Sequence, residues 1–148
     1  MVVKNQQVHL PLLAEKRVSL FIKREDLIHP HISGNKYRKL KYNLIEAQNG
    51  EFSTILTFGG AFSNHIAATA YAGKENGFRT VGIIRGDELA DKWEQNLTLA
   101  LAKANGMQFK FVSRANYRQR ENSEFLKELE SEFGNFYLLP EGGTNALA

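Results

Sequence analysis

The chain has no cysteine among its 148 residues, and that absence removes disulfides, thiolate catalysis and the usual zinc and iron–sulfur sites in one step. Long apolar runs are missing as well. None is long enough to span a bilayer, and the opening Met1-Val2-Val3-Lys4-Asn5-Gln6-Gln7 lacks the apolar core of a signal peptide, so the expectation is a cytoplasmic protein with no membrane partner. Charge of one sign is not concentrated: 19 Lys and Arg against 16 Asp and Glu leave a net +3, spread along the chain, which argues against nucleic acid as a partner. Neither G-x-G-x-x-G nor G-x-x-x-x-G-K occurs, so dinucleotide and P-loop sites are unsupported. What remains is ordinary for a globular enzyme domain. With 43% hydrophobic residues, a chain of this length can bury about 70% of its unfolded surface in one core.

Periodicity divides the chain near Asn49-Gly50. Before it, Val8 to Leu13 and Val18 to Arg24 read as a strand pair, followed by a loop through His29-Pro30-His31 and a helix carrying Lys36. After it the pattern alternates regularly. Strands are expected at Thr54–Phe58, Thr80–Ile84, Phe109–Val112 and Phe136–Leu139. Helices are expected at Asn64–Glu75, closed by Gly77, at Lys92–Asn105 and around Phe125, Leu126, Leu129 and Phe133. Strands alternating with helices predict an α/β fold: a parallel sheet with right-handed crossovers, covered by helices.

Two short stretches carry the chemistry. In Ser33-Gly34-Asn35-Lys36-Tyr37-Arg38-Lys39-Leu40, Ser33 and Asn35 are good helix caps, and Leu40, Leu44, Ile45 and Ala47 follow at helical spacing, so Lys36 falls in the first turn. Positive charge is badly placed there. The helix start and Lys39, three residues on, both lower the pKa of Lys36, and a deprotonated lysine can attack a carbonyl to form a Schiff base. A solvated basic helix face explains the same pattern. In Gly59-Gly60-Ala61-Phe62-Ser63-Asn64-His65, a glycine turn beyond a strand's carboxyl end opens onto a helix, whose free N–H groups favour an anion such as a carboxylate. Ser63 there is either a ligand to such an anion or simply an N-cap, and the two roles are compatible.

Other candidates weigh less. His29 and His31 lie near Glu25 and Asp26 as possible metal ligands, but a polar loop on a pocket rim is the better account, and no metal site is expected. Asn96-Leu97-Thr98 fits the glycosylation pattern inside a helix and is discounted. Arg114 to Glu124 reads as a solvated helix face.

KREDL, GNKYRKL, GGAFSNHIAATA and LLPEGGTNALA, in this order, resemble the 1-aminocyclopropane-1-carboxylate deaminase and D-cysteine desulfhydrase family of pyridoxal-phosphate enzymes. The resemblance covers nearly the whole chain and matches the N-terminal half of those enzymes. It implies the three-layer tryptophan-synthase-β-like fold, with residues 1–49 as the N-terminal part of the large cofactor domain and residues 50–148 as the small domain and the start of the return. It implies pyridoxal 5'-phosphate on Lys36, with Asn35, Lys39 and Asn64 against the cofactor. Ser63 would meet the substrate carboxylate or attack the substrate, with Asn64 and His65 beside it. A small amino acid would be deaminated to an α-keto acid and ammonia by a homodimer.

Three departures accompany the match. Gly-Gly-Ala-Phe stands where family members often have a glutamine next to the serine, and His65 replaces the glutamine of the deaminase branch, as in the desulfhydrase branch. Nothing matches the family's glycine- and threonine-rich phosphate loop or its later catalytic tyrosine, so this chain by itself is expected to hold the cofactor weakly. The alternative from another class is a non-catalytic α/β binding module or an incomplete, inactive fragment.

Overall fold

The computed structural model describes residues 3–32 and 34–148. Ser33 is outside the described residues, and so is its expected role as a helix cap.

The chain opens with an antiparallel pair, β1 (Asn5–Val8) and β2 (Leu20–Lys23), separated by a short helix α1 (Pro11–Glu15). The expected strand over Val8 to Leu13 is therefore corrected. Leu10 is extended, but Pro11 opens α1 with its φ fixed near the helical value, and the chain turns helical where apolar alternation alone predicts a strand. Helix α2 (Asn35–Asn49) follows, then β3 (Thr54–Gly60), α3 (Asn64–Glu75), β4 (Arg79–Arg85), α4 (Leu97–Ala104), β5 (Gln108–Val112), α5 (Arg114–Tyr117), α6 (Ser123–Phe133) and β6 (Tyr137–Leu139). The last four strands form one parallel sheet in the order β5-β4-β3-β6, as the alternation predicts.

The helix expected over Lys92–Asn105 starts later than its apolar spacing suggests. Asn96 sets its start: the Asn96 Oδ1 accepts from the Leu99 N–H at 3.0 Å, so α4 begins at Leu97 and Trp93 to Gln95 form a separate 3-10 turn. The Arg114–Glu124 run is not one solvated face. Ser113 caps α5 and Asn122 caps α6, and Tyr117 between them is buried, flanked by the Arg85 and Arg120 guanidiniums at 5.7 and 5.6 Å.

Three layers result. Leu56, Phe58, Val81 and Ile83 pack on one side of the sheet against Tyr117 of α5 and Leu129 of α6. On the other side Ile55 and Leu139 meet α2 and α3 through Leu40, Ala47, Ala68 and Ala72, while Ile84 and Met107 meet α3 and α4 through Ile66 and Leu99. Strand β3 is the axis of both cores. Burying each of its large side chains, Ile55, Leu56 and Phe58, contributes about 1.5–3 kcal/mol, which fixes this strand before any loop at its end. No helix among the described residues is long and apolar enough to cross a membrane.

This topology places the site. The chain leaves β3 towards α3 on one face, but reaches β6, on the other side of β3, through α5 and α6 on the opposite face. The carboxyl ends of β3 and β6 therefore flank the crevice where ligands bind in open α/β sheets.

Candidate active site

Helix α2 reaches this crevice from outside the sheet, and its start is anchored by charge. Glu25 of the KREDL stretch accepts the Gly34 N–H on its carbonyl at 2.9 Å and the Arg38 Nε on its carboxylate at 3.1 Å, which holds that carboxyl below its usual range. Gly34, with φ 62°, is the N-cap, and Asn35 is the first helical residue rather than the cap. His29 braces the same loop: its Nδ1 accepts from the N–H groups of His31 and Ile32 at 3.1 and 2.9 Å, and its Nε2 faces Glu75 at 3.4 Å. A cavity of about 320 Å³ between α2 and α3 is lined in part by His29, Ile32, Tyr37 and Leu44.

Lys36 is half-buried, and its Nζ donates to the Gly142 carbonyl at 3.2 Å. Its pKa is lowered, first by burial and then by Lys39. The second cause matches the sequence expectation. Lys39 Nζ donates to Thr144 Oγ1 at 2.6 Å, so both lysines of the motif rest on the segment after β6.

That segment is held to α2 by Asn43, which is 1% exposed. Its Oδ1 accepts from Tyr137 OH at 2.8 Å and from Asn145 Nδ2 at 2.7 Å, and its Nδ2 donates to the Lys39 carbonyl at 2.7 Å. Gly142 and Gly143 both have φ near +70°, the left-handed region that glycine adopts without steric cost. A Cβ on Gly143 would meet His65 Cε1 and Lys39 Cβ at 3.4 Å, so the turn lies close between the His65 and Lys39 side chains of α3 and α2.

His65 closes the other side of the turn. It is 2% exposed, and its Nε2 lies 2.8 Å from Thr57 Oγ1, which itself donates to the Leu139 carbonyl at 2.8 Å. Nδ1 is buried without a partner. Burial, with Lys36 and Lys39 adding to it, pushes the imidazole pKa down to about 4, so His65 is neutral at neutral pH.

Ser63 and Asn64 precede His65 at the start of α3. The helix can begin there only because residue 59 is glycine: a Cβ on Gly59 would approach Ile66 Cγ1 to 2.5 Å. Ser63 occupies the N-cap position but makes no side-chain cap bond, so its hydroxyl and the first N–H groups of α3 remain free to meet a ligand. The structure thus gathers Lys36, Lys39 and His65 around one glycine turn. Asn35, Ser63 and Asn64 stand at the two helix starts, and among the described residues their side chains make no hydrogen bond. Sequence reasoning missed Asn43, Thr57, Tyr137 and Thr144. Of these, only Asn43 leaves a signal, as a polar residue on the apolar stripe of Leu40, Leu44 and Ala47.

Comparison with known proteins agrees with this architecture. No family model matches. A Thermotoga maritima protein provisionally named 1-aminocyclopropane-1-carboxylate deaminase is 37% identical over 141 residues, 93% of this chain and 44% of that protein. The Arabidopsis thaliana bifunctional D-cysteine desulfhydrase/1-aminocyclopropane-1-carboxylate deaminase, mitochondrial, is 34% identical over 86% of this chain and 33% of that protein. The crystal structure of an ACC deaminase homologue superposes on 98% of this chain and 43% of its own length, with TM-score 0.76 and 28% identity. By sequence and fold the chain belongs to the 1-aminocyclopropane-1-carboxylate deaminase and D-cysteine desulfhydrase family, and it spans less than half the length of these relatives.

Proposed function

We propose that this chain carries the reactive-amine part of a pyridoxal-phosphate enzyme that deaminates a small amino acid, of the aminocyclopropane carboxylate or D-cysteine type, to an α-keto acid and ammonia. The observation that carries the reading is Lys36: a half-buried amine with a lowered pKa, held on Gly142 at the mouth of a switch-point crevice. The residues suit the aldehyde end of the cofactor. The segment that holds the amine also holds a second lysine and lies beside a buried imidazole whose Nδ1 lacks a partner. When bound, pyridoxal phosphate supplies the electron sink for bonds broken at the amino acid's α carbon.

The chain's own groups divide the remaining work. Lys36 binds the cofactor and moves the proton at the substrate's α carbon. Ser63 and the N–H groups after it hold the substrate carboxylate, and Asn64 orients the cofactor ring. Asn35 and Lys39 line the cofactor side and His65 the substrate side. Residues 1–49 belong in this reading to the larger, cofactor-holding domain, and residues 50–148 to the small domain and the return from it. The enzyme works in the cytoplasm as a homodimer.

The test is covalent trapping. Pyridoxal phosphate is added, the adduct is reduced with borohydride, and peptides are mapped. The label is expected on Lys36, and a label confined to Lys39 or Lys41 overturns the assignment.

A further inference from the structure

His65 has two ring nitrogens, and the hydrogen bonds around it decide which one carries the proton. Thr57 Oγ1 has a single hydrogen, and that hydrogen goes to the Leu139 carbonyl, which cannot donate one back. Towards His65 Nε2, 2.8 Å away, the same oxygen must therefore accept, so Nε2 carries the proton and Nδ1 keeps a bare lone pair. The lock is rigid. Thr57 is fully buried in the middle of β3, and Leu139 is its register partner in β6, so the hydroxyl cannot turn away without leaving a buried carbonyl lone pair and an N–H unmatched.

The Nδ1–Cε1 edge of the ring lies beside Gly143, whose hypothetical Cβ would stand 3.7 Å from Nδ1. The hypothetical Cβ of the adjoining Gly142 would stand 4.0 Å from Lys36 Nζ, so the imidazole acceptor and the amine approach the same two-glycine turn. Lys36 is tied there by one bond, to the Gly142 carbonyl, and a lysine ammonium has three donors.

We propose that His65 is a positioning residue for Lys36: locked as the Nε2–H tautomer by Thr57, it holds an uncharged Nδ1 lone pair at the glycine turn as a second acceptor for the Lys36 amine. The lone pair draws the amine towards α3 and Ser63 when it leaves the Gly142 carbonyl. Because the imidazole is uncharged, it orients the amine without adding a third positive charge beside Lys36 and Lys39. The inference goes beyond the proposed reaction and does not rest on it, since every group it uses belongs to this chain.

Two measurements on the chain without cofactor test it. In the ¹⁵N-histidine spectrum, His65 is expected to show a protonated Nε2 and an unprotonated Nδ1 throughout the neutral range. A proton on Nδ1, or titration of the ring near neutrality, overturns the proposal. The Lys36 pKa, read by NMR after reductive methylation, is expected to fall in His65→Phe, by less than the roughly tenfold that one full hydrogen bond to a charged group is worth, because the amine rests on the Gly142 carbonyl and reaches Nδ1 only when it leaves it. His65→Gln, which retains a donor and an acceptor, is expected to restore most of it. An unchanged or raised Lys36 pKa in folded His65→Phe refutes the role. If that variant does not fold, the wild-type tautomer and the Gln variant still decide.

Discussion

Replacing Asn43 with alanine tests whether the site is assembled by the polar tie between α2 and the segment after β6. The substitution removes three short hydrogen bonds, to Tyr137, Asn145 and the Lys39 carbonyl, from a position that is 1% exposed. Tyr137 and Asn145 are only half-buried and regain water, so the net loss is about 1 kcal/mol per bond, or about 3 kcal/mol in all. For a domain of this size that lowers Tm by about 6–12 °C, measured by calorimetry. The second readout is Lys36 itself. Its pKa is lowered chiefly by burial, so loosening the segment that covers it must bring the pKa back up towards the ordinary lysine value. Leu129→Ala is the control: it empties a fully buried position on α6, across the sheet, at a comparable cost of about 2–5 kcal/mol, and is expected to leave Lys36 unchanged. An Asn43→Ala protein as stable as the parent, or one that moves Lys36 no more than Leu129→Ala does, refutes the reasoning.

Other outcomes follow from the same geometry. Ser63→Ala is expected to impair turnover of the cofactor-loaded enzyme more than cofactor uptake, with no change in Tm, because Ser63 makes no cap bond to lose; a loss of about 1 kcal/mol in stability with intact kinetics would mark it as a cap after all. Asn64→Ala is expected to shift the visible spectrum of bound pyridoxal phosphate, and an unaltered spectrum removes Asn64 from the cofactor. His65, with its folded pKa at about 4 against an ordinary 6.5, leaves the unfolded chain binding more protons between those values. Stability should therefore rise with pH through that window and be lost as pH falls, by up to about 3 kcal/mol, and denaturant titrations of His65→Gln should show a flatter profile there. In amide hydrogen exchange, β1 and β2, nearly all exposed, should exchange well before β3; equal protection would show that the hairpin is part of the main cooperative unit.

The βα alternation was legible because β3, β4 and β5 are short runs each followed by a helix, and burial on both faces of β3 and β4 leaves those strands no alternative register. The N-terminal misreading has a physical cause. Leu10, Leu12, Val18, Leu20, Phe21 and Ile22 are all exposed in this chain, so their apolar pattern is not anchored to a core, and Pro11 decided the local conformation instead. Lys36 and Ser63 could be placed at helix starts because helix starts and glycine turns announce themselves locally. The contacts of Thr57 and Asn145 could not be read, because their partners lie 82 and 102 residues away, and nothing in a threonine on an apolar strand or an asparagine in a terminal loop points to a contact at that range.

Those long-range polar contacts explain how three separate motifs become one site. Helix α2 packs on α3 through its apolar stripe, and Asn43 ties it to Asn145 in the arrangement in which Lys36 and Lys39 both reach the segment after β6. Thr57 fixes the same segment from beneath, through the Leu139 carbonyl, and sets the His65 ring with the same hydroxyl. The turn Gly142-Gly143 takes Lys36 on the Gly142 carbonyl, is followed by the Thr144 hydroxyl that takes Lys39, and lies beside the His65 ring. Its positive φ at both positions favours glycine. The LLPEGGTNALA stretch is thus the floor against which the GNKYRKL amine is set, and a side chain placed on Gly143 would disturb Lys39 and His65 together while leaving the sheet cores untouched.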